Sequence, residues 1–371
     1  MEQQWANRAV SAEAAVSARH FARLWAMPRT QLGVVAWPST RQDRLFASWN
    51  YWWQAHLLDC LVDAQVRDPQ PQRRKRIAAQ MRGHHRRNLG RWTNSYYDDM
   101  AWMSLALERA GRLTGVERLR ALRTFTKQFT RAWMPESGGG IPWRKQDRFF
   151  NTPANGPAGI FLARNGELRQ AQLMADWIDA TLIDPQTHLV FDGIKFEDSK
   201  EGSLDRAQFT YCQGVVLGLE TELAVRTKDD RHAPRVHRMV AAVAQNMAPG
   251  GVLKGEGGGD GGLFGGVTIR YLALVATALP GDTPEDVAAR DAARNIVLTS
   301  AQSAWDLRQT VDGLPLFSAF WDRVADIPTA DSAGATFSGG AVTASSIPER
   351  DLSVQLSGWM LMEAAHALTA A

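Results

Sequence analysis

Two acidic residues stand side by side at Asp98 and Asp99, in the segment NSYYDDMAWMSLALERAG that runs from 94 to 111. Cleaving a glycosidic bond takes two carboxyl groups. In enzymes that retain configuration they stand about 5–5.5 Å apart, one as nucleophile and the other as acid/base. Adjacent Cα atoms lie about 3.8 Å apart, so neighbouring side chains can meet that separation. The wider inverting separation is harder to reach from adjacent residues. Tyr96, Tyr97 and Trp102 flank the pair. Aromatic surroundings would desolvate one carboxyl and raise its pKa, and the charge of the second would raise it further. The same residues admit a structural use. Ser95 and Asp98 have the spacing of a capping box, and acids in a first turn suit the helix dipole. Both uses stay open at the level of the sequence.

Further polar and aromatic residues gather at the starts of other helical segments. SWNYWWQAHLLDCLVDA (48–64) places Trp49, Trp52, Trp53 and Gln54 there, and FTYCQGVVLGLETELAVRT (209–227) places Tyr211 and Gln213. GGGIPWRK (138–145) is a glycine-rich turn that presents Trp143, and FFNTPANGPAGIFLAR (149–164) sets Asn151 and Asn155 at a helix start. Indole rings stack on sugar faces and amides bind hydroxyls. Trp is equally a core filler, and Asn is equally a helix cap. Trp53, Gln54, Tyr97, Trp102, Trp143, Asn151, Asn155, Tyr211 and Gln213 are therefore the candidate substrate-binding residues around Asp98 and Asp99. Glu256 and Asp260 are reserve acids in the loop GGVLKGEGGGDGGLFGG, which reads as a mobile rim of the cleft.

The elements that must position these residues follow a helical period. About twelve helices are expected, over 2–27, 47–66, 71–89, 95–112, 116–133, 152–164, 167–182, 207–227, 232–246, 262–279, 284–308 and 350–369. Short links alternate with long ones through 28–46, 134–151, 183–206, 247–261 and 309–349. A short link forces antiparallel neighbours. The alternation predicts helical hairpins closed into an all-α (α/α)6 toroid, one domain over 1–371, with the long loops on one face shaping a cleft. An open solenoid would need a fixed repeat, and none is visible. VFDG at 190–193 opens a small hairpin, and the Ser/Gly/Ala-rich stretch 329–346 reads as a long loop.

Composition narrows the chemistry. The 371 residues are 45% hydrophobic with net charge +3, enough apolar material for a large core and little pull toward a polyanion. Fourteen Trp residues are the unusual feature. Two cysteines, Cys60 and Cys212, exclude a disulfide-stapled scaffold and a cysteine-rich metal site. The glycine-rich loop at 250–266 lacks the phosphate-loop pattern. The basic run RRKRIAAQMRGHHRR (73–87) reads as a solvated helix face, with an anionic partner as the alternative. Neighbouring His84 and His85 do not share a helix face as metal ligands would. No metal, no cofactor, no nucleic acid and no membrane span is expected, and a monomer is. The N-terminus has no signal-peptide pattern, which points to the cytoplasm unless the sequence is a trimmed form of a secreted protein.

At YYDDMAW the chain resembles glycoside hydrolase family 76, the endo-α-1,6-mannanases. The likeness continues in order through GGGIPW, NTPANGPAGIFLAR, DWI, FDGI, FTYCQGVVLG and GGLFGGVTIRYLALV, and covers about residues 40–370. It implies an (α/α)6 fold and retaining hydrolysis of α-1,6-mannosidic bonds in mannan or mannose-containing glycans, without a cofactor. It also implies Asp98 as nucleophile and Asp99 as acid/base, with transglycosylation as a further possibility. Two positions depart from the family pattern. Cys212 stands in a YNQG-like motif, and Phe264-Gly265-Gly266 stands where FKG is usual. Both bear on substrate identity. A non-catalytic glycan-binding toroid and a sugar epimerase on the same architecture are the alternatives. An epimerase would want paired histidines in the cleft, and the eight His residues do not have that placement.

Overall fold

A computed structural model of the chain describes residues 2–135, 138–196 and 202–370. The helices are α1 (Glu2–His20), the single turn α2 (Arg41–Arg44), α3 (Tyr51–Arg67), α4 (Pro71–Arg87), α5 (Tyr97–Thr114), α6 (Leu119–Ala132) and α7 (Thr152–Arg164). They continue as α8 (Leu168–Thr181), α9 (Thr210–Arg226), α10 (His232–Asn246), α11 (Gly261–Ala278), α12 (Pro284–Asp306) and α13 (Leu352–Ala370). Helices α3, α5, α7, α9, α11 and α13 pack each on the next, and α13 returns to α3, which closes an inner ring. Outside it α4 lies on α3, α6 on α5, α8 on α7, α10 on α9, α12 on α11 and α13, and α1 on α13. This is the (α/α)6 toroid that the alternating link lengths predict.

Residue type sorts the two rings. Outer α6 buries Ala121, Phe125, Phe129 and Ala132 along one stripe and leaves its Arg and Lys residues outside. Inner helices are covered on every side. In α11 the ring neighbours bury residues all around it, so a helix long and apolar enough to cross a membrane serves as a core element. Close approach in the ring rests on small residues. Gly262 and Gly266 of α11 face Ser353, Val354 and Ser357 of α13, where a Cβ would meet atoms at 2.5–3.1 Å. The Ser357 hydroxyl donates to the Gly262 carbonyl at 2.5 Å and accepts from the Gly266 N–H at 3.1 Å.

Predicted and observed helices differ mainly at ends. The first stops at His20 rather than 27, because Phe21 and Ala22 (β1) pair antiparallel with Leu32 and Gly33 (β2). Strands β3 (Phe149–Asn151), β4 (Gly193–Lys195) and β5 (Ser203–Asp205) form an antiparallel sheet that includes the hairpin expected after VFDG. A further hairpin, β6 (Gln309–Val311) and β7 (Leu314–Leu316), precedes the stretch read as a long loop. That stretch instead contains β8 (Thr336–Ser338) paired with β9 (Ala341–Thr343). The Gly-rich segment before α11 is pinned, since the Gly259 N–H donates to the Asp351 carboxylate at 2.7 Å.

Every long link enters the N-terminus of an inner helix, so these links collect at one end of the ring. Four inner helices fasten their entering link with the same device. Gln54 of α3 bonds both backbone groups of Gly33, accepting at 2.8 Å and donating at 2.9 Å. Asn155 of α7 does so with Ile141, Gln213 of α9 with Val190 and Gln355 of α13 with Phe317. Each amide donates a further bond to a backbone carbonyl near its own helix start. Such a side chain is saturated and sealed, and Gln54, Asn155 and Gln213 are completely buried. Gln213→Ala would orphan the N–H and C=O of buried Val190, and is expected to cost about 3 kcal/mol in chemical denaturation.

Candidate active site

The end of the ring that receives the long links holds a cavity of about 650 Å³, in the range of small-molecule sites. Asp98 and Asp99 lie in its wall in the first turn of α5. The N-cap of α5 is Tyr96, with no side-chain cap bond, so Ser95 and Asp98 do not form a capping box. Asp98 is turned toward Trp143, whose indole N–H donates to its Oδ2 at 2.9 Å, and its Oδ1 accepts the Asp99 N–H at 2.8 Å. Trp143 arrives because the 142–147 turn runs antiparallel to the chain before α5. Tyr97 N–H donates to the Trp143 carbonyl at 2.8 Å, and Lys145 N–H to that of Ser95 at 2.8 Å. Asn94 donates from Nδ2 to Oδ2 of Asp99.

Burial raises the pKa of both acids. Asp99 carries the negative charge of Asp98 as its second cause, while the Trp143 and Asp99 N–H groups pull Asp98 back toward ionisation. Two more carboxyls face the same space. Asp192 is pushed up to about 7, first by burial and then by Asp205, and the Cys212 thiol beside it at 3.6 Å is its only side-chain donor among the described residues. Its backbone is held on both sides, donating to Ala207 and accepting from Thr152, each at 2.7 Å. Asp260 accepts the indole N–H groups of Trp52 at 2.8 Å and Trp53 at 2.9 Å, and the Val342 N–H of β9 at 2.7 Å. Three donors on one carboxylate make it a tie between α3, α11 and the β8–β9 hairpin. Among the described residues, no lysine, arginine or histidine lines the cavity.

Aromatic rings supply the remaining wall. Tyr211 and Phe264 stack with centroids 3.8 Å apart and planes 3° off parallel. Trp52 stands 6.1 Å from Trp102 and 6.5 Å from Tyr211. Of the residues nominated from sequence, Asp98, Asp99, Trp102, Trp143, Asn151 and Tyr211 line the cavity. Asn151 also caps α7, accepting the Ala154 N–H at 3.2 Å. Trp53, Gln54, Tyr97, Asn155 and Gln213 do not line it. Trp53 is fully buried behind the wall and reaches the site only through Asp260, and the three amides are the link clamps described above. Glu256 lies off the cavity and accepts the Thr210 N–H at 3.0 Å. Asp192, Phe209 and Phe264 were not nominated, and Trp52 was noted only as one of a cluster. FDGI and GGLFGG mark their positions, yet nothing in a local pattern says that these side chains face inward.

At the opposite end a second cavity of about 540 Å³ is lined by Asp59, Asp63 and Glu363. There these three acids each hold a guanidinium, from Arg109 and Arg270 for the aspartates and Arg67 for Glu363, while Glu2 stands exposed at the rim. Buried carboxyls without a guanidinium are thus a property of the first cavity.

Comparison with known proteins agrees with this geometry. The model of glycosyl hydrolase family 76 matches residues 9–350. No curated protein sequence matches the chain. Among solved structures, the GH76A α-1,6-mannanase of Salegentibacter sp. HEL1_6 is similar at 26% identity and TM-score 0.81, covering 98% of this chain and 99% of that one. An inactive variant of that enzyme, with two consecutive aspartates changed to asparagine, was solved with α-1,6-mannotriose. The Lin0763 protein of Listeria innocua is 25% identical with TM-score 0.80, over 99% of this chain and 98% of its own. Dfg5 of Chaetomium thermophilum, at 18% identity and TM-score 0.67 over 86% of this chain and 81% of its own, shares the fold. With a family model spanning almost its whole length and a toroid whose cleft presents paired carboxyls, the chain belongs to glycosyl hydrolase family 76 and is a glycoside hydrolase.

Proposed function

We infer that the enzyme hydrolyses α-1,6-mannosidic linkages in mannan-type glycans, endo-fashion and with retention, through a glycosyl ester on Asp98. The observation that carries this reading is the tandem acid pair in a cavity of aromatic rings with no cation among the described residues. Such a lining suits a neutral polyol and repels anionic sugars. The chain has one other pair of consecutive aspartates, Asp229–Asp230, on the turn between α9 and α10, away from the cavity. The Salegentibacter enzyme, inactive with two consecutive aspartates replaced, supports a role for such a pair.

Electrostatics divides the work. Asp98, with two N–H donors, is the better anion and attacks the anomeric carbon. Asp99, held protonated by burial and by the neighbouring charge, protonates the leaving oxygen. Once the ester forms, the charge on Asp98 is gone and the pKa of Asp99 falls, so it can take the proton from the attacking water. An acceptor sugar in place of water would give transfer. The absence of histidine from the lining, among the described residues, removes support for an epimerase.

Asp98→Asn is expected to abolish hydrolysis of a linear α-1,6-mannan. Asp99→Ala is expected to lose about 10²–10⁴-fold in kcat/KM, with recovery on an aryl mannoside whose leaving group needs no proton. Parent-like turnover in both variants overturns the reading, and binding of mannan by a parent that never cleaves it favours the glycan-binding alternative. Trp143→Phe removes an N–H from the Asp98 carboxylate, which raises its pKa. The acidic limb of the kcat/KM profile should then move to higher pH by about one unit, with the basic limb less affected.

A further inference from the structure

One flank of the cleft carries a surface that the reaction does not use. Three segments meet there: the 23–29 loop, the α2 turn with Leu45, and the C-terminal end of α4. The Trp25 indole N–H donates to the Leu45 carbonyl at 2.8 Å, Arg86 Nη1 lies 3.5 Å from the Met27 sulfur, and Arg87 Nε donates to the Phe46 carbonyl at 3.0 Å. Large apolar side chains stand out of it. Leu89 is 85% exposed, Leu45 52% and Trp25 47%.

Cations surround them. Arg23, Arg29, Arg41 and Arg44 come from the first two segments, against the single acid Asp43. Arg82, Arg86 and Arg91 come from α4 and its exit. Among the described residues none of these guanidinium groups has a carboxylate within salt-bridge distance. The asymmetry extends along the flank, because residues 71–133 hold fifteen Lys and Arg against four Asp and Glu in a chain of net charge +3. Two of those four acids, Asp98 and Asp99, are inside the cleft.

The backbone there is also constrained. Of nine non-glycine residues with positive φ among the described residues, five are Trp25, Ala26, Arg29, Phe46 and Leu89. Leu89, at φ 53°, is the left-handed residue that caps α4, with the Gly90 N–H on the His85 carbonyl at 2.8 Å, and this turn holds its side chain out in solvent. Exposed Trp and Leu within a ring of unpaired arginines match the interfacial region of an anionic bilayer, where indole and leucine enter the headgroup layer and arginine meets phosphate. A purely basic surface would suit a soluble polyanion equally, and the protruding apolar side chains decide for the lipid surface.

We propose that this flank docks the enzyme on an anionic lipid surface. Ala47, Ser48 and Trp49, which follow the patch, and Asn88, which precedes Leu89, line the cavity itself. Docking therefore sets the cleft mouth beside the headgroups, where it would receive mannosides carried on lipid. That consequence rests on the mannan-cleaving reading, and the docking does not.

The test is co-sedimentation with vesicles of equimolar phosphatidylcholine and phosphatidylglycerol, against phosphatidylcholine alone, beside turnover of a soluble linear α-1,6-mannan. The parent should partition onto the anionic vesicles alone, less so as salt rises. Arg86→Gln with Arg91→Gln should weaken partition about thirtyfold, and Leu89→Ser with Trp25→Ser roughly tenfold, with thermal melting and soluble turnover as in the parent. No partition of the parent, or partition indifferent to the arginine pair, overturns docking. Partition that needs the arginines but ignores both Leu89→Ser and Trp25→Ser identifies a polyanion surface and overturns the lipid assignment. Vesicle binding by a parent without mannan turnover sinks the mannan reading and leaves the docking surface standing.

Discussion

Carboxyl groups held out of water without a countercharge are the constraint on which the site depends. Six inner helices run in one direction, and their N-termini converge on the cavity. Positive helix ends tolerate acids there, yet burial holds both members of the Asp98–Asp99 pair above their ordinary pKa, with the charge of Asp98 adding to it at Asp99 and that of Asp260 at Asp98. At the other end of the same ring the helix C-termini meet arginines, and Asp59 and Asp63 are held between Arg109 and Arg270, with Asp59 drawn down to about 2. One scaffold thus contains acids neutralised for stability and acids left uncompensated for chemistry.

Keeping a charge-poor cavity open places demands on the links around it. Long loops would collapse into such a space unless fastened, and the buried amides Gln54, Asn155, Gln213 and Gln355 fasten four of them through backbone pairs. Asp260 extends this to the β8–β9 hairpin and to the indoles of Trp52 and Trp53. The rigid wall that results is what allows Trp143 to hold Asp98 in one orientation. Polar residues near the cleft therefore divide into those that line the cavity and those that keep its walls apart.

The toroid was legible because its signals are local. Amphipathic outer helices, apolar inner ones and alternating link lengths are all properties of neighbouring residues, and the largest change at a helix end, seven positions in the first, came where β1–β2 intervened. The acid pair was legible for the same reason, since adjacency in the chain guarantees proximity in any fold. Gln54, Asn155 and Gln213 looked like ligands because an amide at a helix start has the same local appearance whether it faces a cavity or the loop behind it.

Sequence alone determined the ring of paired helices, the position of the tandem carboxyls and the aromatic character of the cleft. Tertiary structure alone decided which polar side chains open into that cleft, that Asp192 joins it across 94 residues from Asp98, and that Asp260 is a tie rather than an acid. The physical reason is that helical period and adjacency are encoded within a few residues, whereas the direction of a side chain relative to a cavity depends on how five other inner helices and their links pack against its own.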